Sequence, residues 1–211
     1  MSNKSSFFTE DETDALQELM NIAFGKAAAE LAEIIDISVV LSFPKLETVK
    51  IQELPDFISG DLSINTKCNI VEQTYKGEAG GVAFLIFPFG SESDFLSLFH
   101  LDEEDELELF ADADREILAE VGNILIGACV SKLFDLLKSP VIYTPPHAII
   151  GQEFGDKFFK GRFSGDDCAI ILKTSFFLSE KSVEGFLFLV NNQSSVGPIK
   201  HALAKLFESY E

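Results

Sequence analysis

The sequence predicts an α/β (α+β) fold made by duplication, with pseudo-twofold symmetry. Three observations predict it. A polar pattern occurs twice, 102 positions apart: Asp14, Glu18, Asn21, Gly25 and Pro44 return as Glu116, Glu120, Asn123, Gly127 and Pro146. Between positions 14–44 and 116–146, eight aligned residues are identical. Each copy lies in a long stretch of helical apolar spacing followed by short β-like runs. Shared leucines would follow from any common helical pattern. A shared carboxylate, carboxamide and glycine at fixed spacing are harder to explain by packing.

Taken in order, residues 1–8 read as a tail. Thr9 and Glu12 have the spacing of a capping box, which predicts a helix from near Glu10 to about Ile35. Strand-like runs follow at Ser38 to Phe43, Thr66 to Gln73 and Gly81 to Phe87, with Leu54-Pro55 and Ser59-Gly60 punctuating the loops. Ser91 to Phe99 suggests a short helix. The acidic segment Asp102 to Asp114 reads as a solvated connection between halves. A second long helix spans roughly Ala113 to Lys138 and stops before Pro140. Strand-like runs return at Val141 to Tyr143, Asp167 to Ser175 and Gly185 to Val190, and a last helix covers Val196 to Glu208. The chain, 1–211, is thus expected to be one domain of two repeats, about 9–101 and 112–211, joined by the acidic connection.

Composition narrows the function. With 211 residues, 46% of them hydrophobic, the chain can bury a substantial core, and its 21 phenylalanines belong there. The net charge of −19 repels phosphate backbones and anionic bilayers, so nucleic acid and membrane insertion are not expected. A basic protein patch would be attracted, although acidity also suits plain solubility. Three cysteines without a CxxC spacing, and three scattered histidines, suggest buried thiols in a reducing cytosol and no metal site. The longest apolar run, around Val82 to Phe89, is too short to span a bilayer. No apolar signal-peptide core is expected at the N-terminus. A cytoplasmic location follows as the expectation.

Helical geometry groups the repeated residues. With Asp14 at zero and about 100° per residue, Glu18 falls near 40°, Asn21 near −20° and Gly25 near 20°. Leu16, Met20, Ala23, Ala27, Leu31 and Ile34 take the opposite side. In the second copy Glu116, Glu120, Asn123 and Gly127 share one face, and Leu118, Leu125, Cys129, Leu133 and Leu136 the other. A mid-helix glycine costs about 1 kcal/mol relative to alanine. Keeping it twice on an outward face suits close approach by another molecule.

Asparagine offers no useful acid–base chemistry, but its carboxamide accepts and donates hydrogen bonds and can orient a water. Glutamate one turn away can pair with a cation on a partner. Glu and Asn alone supply no nucleophile, metal cage or phosphate cradle. The set makes sense if a partner brings the metal and the reactive bond.

The spacing Asp/Ser-x3-Glu-x2-Asn-x22-Pro resembles the signature of the CheC/CheX/FliY phosphatases of bacterial and archaeal chemotaxis. Asp14, Glu18, Asn21 and Pro44 match throughout; in the second copy Glu120, Asn123 and Pro146 match, with Glu116 at the first position. Two copies in a chain of this length resemble CheC more than CheX, which carries one active copy, or FliY, which has a further C-terminal domain. The resemblance implies a phosphatase for the aspartyl phosphate of a CheY-like receiver. Glu18 and Glu120 would contact the receiver's active-site lysine, and Asn21 and Asn123 would orient the attacking water. Asp14, Gly25, Glu116 and Gly127 would serve partner binding, and Pro44 and Pro146 structure. The chain would need no cofactor of its own, since the receiver would supply Mg2+. The fold implied is an extended, largely antiparallel sheet with both long helices laid over it and about three strands from each half. The alternative is a non-catalytic receiver-binding or CheD-binding adaptor, related to the FliM switch-protein middle domain, which lacks the Glu/Asn pairs.

Overall fold

Both long helices form where periodicity places them. In a computed structural model that describes residues 7–35, 38–42, 44–62, 67–90, 110–153, 168–178 and 183–208, the first helix, α1, is Glu10–Ile35. Its start is fixed as the sequence suggests. The Thr9 N–H donates to Glu12 Oε2 at 2.8 Å, and the Glu12 N–H donates to Thr9 Oγ1 at 3.2 Å. These reciprocal bonds satisfy donors that the first helical turn leaves open. They also hold the Glu12 carboxyl below its ordinary range, with help from Lys200.

Next come β1 (Val39–Leu41), β2 (Lys45–Lys50), α2 (Leu54–Leu62), β3 (Lys67–Lys76) and β4 (Gly81–Pro88). The second half repeats the order with α3 (Phe110–Leu136), β5 (Ile142–Tyr143), β6 (His147–Glu153), β7 (Cys168–Leu178), β8 (Val183–Asn192) and α4 (Val196–Glu208). The helix expected over Ser91–Phe99 and residues 102–109 of the acidic connection lie outside the described residues, while residues 110–114 of that segment are helical and open α3.

Three elements differ from expectation. Leu54-Pro55 and Ser59-Gly60 do not punctuate a loop; they lie within α2. Pro55 sits in the first turn, where its missing N–H costs nothing. β2 and β6 give each half four strands among the described residues, where about three were expected. β2 carries Lys45, Glu47 and Lys50 at a sheet margin, where polar side chains are tolerated. β6 contains Gly151, at φ 63°, beside a register shift against β3.

Among the described residues all pairings are antiparallel, in the order β1-β7-β8-β4-β3-β5, with β2 also on β7 and β6 also on β3. The hairpins β3–β4 and β7–β8 meet at β4–β8. Each hairpin's outer strand then receives the two strands that follow the other half's long helix. The halves therefore complete each other's sheet edges.

The sheet is covered on both faces. One core lies beneath α1, α3 and α4 and includes Leu16, Met20, Phe24, Leu118, Ile126, Leu133, Val71, Leu85 and Leu187. The second joins α2 and β2 to the opposite face through Leu54, Ile58, Val49, Ile70, Phe84 and Phe188. The segment Arg115–Leu136 of α3 is long and apolar enough to cross a membrane by length and composition, and half of that window is buried here against the core.

α1 and α3 meet where Lys132 Nζ lies 2.6 Å from Glu30 Oε1. These positions are repeat equivalents, so the pseudo-twofold axis passes between them. Both helices lie on one face of the sheet, which makes the axis normal to it and the helices antiparallel.

Candidate functional site

The sequence places Asp14, Glu18, Asn21 and Gly25 on one side of α1, and the structure exposes all four. Leu16, Met20, Ala23 and Ala27 are buried behind them. On α3, Glu116, Glu120 and Asn123 are exposed and Gly127 is half-buried. Leu118, Leu125, Cys129 and Leu133 are buried, and Leu136 is partly so. A methyl group built on Gly25 or Gly127 would meet nothing within 4 Å. Neither glycine is required by packing within the chain, as their outward positions suggested.

The structure does not gather the two stripes into one site. Asn21 and Asn123 each lie nine residues before the Glu30–Lys132 contact. On antiparallel helices that sets them on opposite sides of the axis, roughly 25–30 Å apart at 1.5 Å per residue. They share a surface but form two separate stations. Two surface clefts, one of about 200 Å³ by Leu137, His201 and Lys205 and one of about 380 Å³ by Lys76, Gly81 and Asn192, contain no stripe residue. Among the described residues, no group of His, Cys, Asp and Glu could hold a metal ion. The carboxylates and carboxamides of both stripes are exposed, and Ile22 beside Asn21 adds apolar area at 40% exposure.

Beneath the stations are residues that sequence reasoning missed. Gln73, on β3, is 2% exposed. Its Nε2 donates to the Thr144 carbonyl at 3.0 Å and to Asn123 Oδ1 at 3.3 Å. Thr174, on β7, is its counterpart: its hydroxyl donates to the Ser42 carbonyl at 2.8 Å. Ser42 and Thr144 each stand two residues before a repeated proline, Pro44 and Pro146. The prolines lead directly into β2 and β6, the structural role expected of them. Nothing local in the sequence marks Gln73, because its partner Asn123 is 50 residues away.

The model of the CheC-like family matches residues 12–42, the segment that carries Asp14, Glu18, Asn21 and Gly25. Over that segment the chain is similar to the CheC-like family. The CheY-P phosphatase CheC of Bacillus subtilis (strain 168) is 24% identical over 194 residues, covering 88% of this chain and 90% of that protein. Among solved structures, FliY of Thermotoga maritima matches with a TM-score of 0.68 at 17% identity, over 94% of this chain and 98% of that one. The FliM middle domain of H. pylori matches at 0.59 and 9% identity, over 92% and 99%. The CheX–CheY–BeF3–Mg complex of Borrelia burgdorferi matches at 0.51 and 19% identity, over 81% and 96%. The chain therefore shares the FliY, CheX and FliM-middle fold.

Proposed function

We propose that this CheC-like protein dephosphorylates the aspartyl phosphate of a CheY-like receiver in the cytosol, at two stations. The observation that carries the reading is the doubled Glu–Asn pair, exposed on both long helices. A relative named as a CheY-P phosphatase supports it, and so does a similar fold solved with CheY, BeF3 and Mg.

In this reading Glu18 or Glu120 pairs with a lysine in the receiver's acidic pocket and sets the docking register. Asp14 or Glu116, one turn earlier, adds to the same contact. Gly25 or Gly127 keeps the next turn of the helix low, so that the receiver's loops can approach. Asn21 or Asn123 then enters the pocket and holds a water in line with the phosphorus–oxygen bond. The water oxygen bonds to phosphorus as the bond to the aspartyl oxygen breaks. Inorganic phosphate leaves and the receiver's carboxylate is restored. Magnesium bound by the receiver offsets the charge of the transferring phosphoryl group. This chain contributes orientation alone, which is a sufficient source of rate.

The second reading is a non-catalytic adaptor for a receiver or for CheD, and the fold shared with a FliM middle domain is in its favour. Phosphate release from a phosphorylated receiver separates the two. Wild type is expected to accelerate release, and the Asn21→Ala/Asn123→Ala variant to lose about a hundredfold while keeping its circular dichroism spectrum. Equal release by both proteins would favour the adaptor.

A further inference from the structure

We infer that Gln73 is a positioning residue for Asn123, and that the two stations are unequal, with only the second preorganised from below. The inference deepens the phosphatase reading and rests on it for its kinetic consequence.

The Thr144 carbonyl accepts from Gln73 Nε2 at 3.0 Å. A carbonyl oxygen only accepts, so the Gln73 bond to it fixes which end of the Gln73 amide is NH2. The second N–H of that group then points at Asn123 Oδ1. An amide oxygen has two acceptor positions. With one taken by Gln73, the carboxamide plane of Asn123 is set, while the other acceptor position and the Asn123 NH2 stay available on the exposed side. This is the state that holding a water requires. Gln73 is itself held by the sheet, and its Oε1 is buried without a partner among the described residues. An unpaired buried acceptor is costly, and packing alone would be served better by an apolar side chain.

A second observation, independent of that bond, points the same way. Gly122 precedes Asn123 and is buried over Val71, two residues before Gln73 on β3. A methyl group at Gly122 would collide with the Val71 side chain. The glycine thus lets α3 sit low enough for Asn123 to reach the sheet. In the first copy the corresponding residue is Met20, fully buried, which needs more room beneath α1. Opposite it stands Thr174, too short to reach a helix after bonding Ser42. Both changes, Gly122 for Met20 and Gln73 for Thr174, act in concert on one station.

Gln73→Thr tests this, because it imports the first copy's arrangement and keeps a donor for the Thr144 carbonyl. In an Asn21→Ala background, where only the second station works, Gln73→Thr is expected to lower kcat about tenfold with KM unchanged. In an Asn123→Ala background it is expected to change neither constant. A separate readout does not need turnover: by 15N relaxation, the Asn123 side-chain NH2 is expected to be more ordered than that of Asn21, and Gln73→Thr to remove the difference. An unchanged kcat in the Asn21→Ala background, or equal order at Asn21 and Asn123 in the parent, would overturn the inference. If the parent released no phosphate at all, the phosphatase reading would fall, and the relaxation data would still decide whether Gln73 holds Asn123.

Discussion

An exposed asparagine on a helix is ordinarily unremarkable, since water satisfies its amide. What sets Asn21 and Asn123 apart is their company: each follows a glutamate by three residues and precedes a glycine by four. Glu18→Gln/Glu120→Gln should remove the charge and keep the shape. The expected result is a KM for phosphorylated receiver raised about tenfold, a shallower dependence on salt, and little change in kcat. The stripe residues were legible in the sequence because one helix presents them at 3.6-residue spacing. Gln73 was not, because its contact with Asn123 exists only once β3 lies beneath α3. Gly122 was equally silent: a buried small residue in a helix gives no sign of what it packs against.

At the scale of elements, α1 and α4 have the boundaries the sequence predicts, because a capping box or a strong apolar period defines them. α2, β2 and β6 were missed where local signals conflict with tertiary placement: a proline in a first turn, a charged marginal strand, a bulge at Gly151. Thr9→Ala should cost about 1 kcal/mol in urea unfolding. Because Glu12 has a lowered pKa in the folded chain, its contribution is complete above its ordinary value of 4.5 and is lost as pH falls through the lower, folded value. Stability of wild type relative to Glu12→Gln should shrink over that acid range and stay level above it. Gly25→Ala and Gly127→Ala meet no obstacle, so each should stabilise the chain by about 1 kcal/mol. If the glycines serve close approach, the same variants should bind receiver more weakly.

For the molecule as a whole, the repeat in the sequence announced a duplication but not the exchange of sheet edges. That exchange depends on which hairpin accepts β1, β2, β5 and β6, and no local pattern encodes it. Its consequence is cooperativity: the chain should unfold in a single transition, with circular dichroism and fluorescence coinciding. Residues 1–101 or 112–211 alone should fail to fold, because each lacks the strands that cover its hairpin. Burial raises the Cys68 thiol to about 11 and the Cys129 thiol to about 12. Both should therefore resist thiol reagents at pH 8 until the chain unfolds.

The central claim is that two asparagines act on a water after docking is complete. It is tested most directly by single-turnover decay of a phosphorylated receiver against increasing concentrations of this protein. For Asn21→Ala/Asn123→Ala the expected curve has the half-saturating concentration of wild type and a plateau near the receiver's own rate of hydrolysis. A plateau equal to that of wild type would contradict the account.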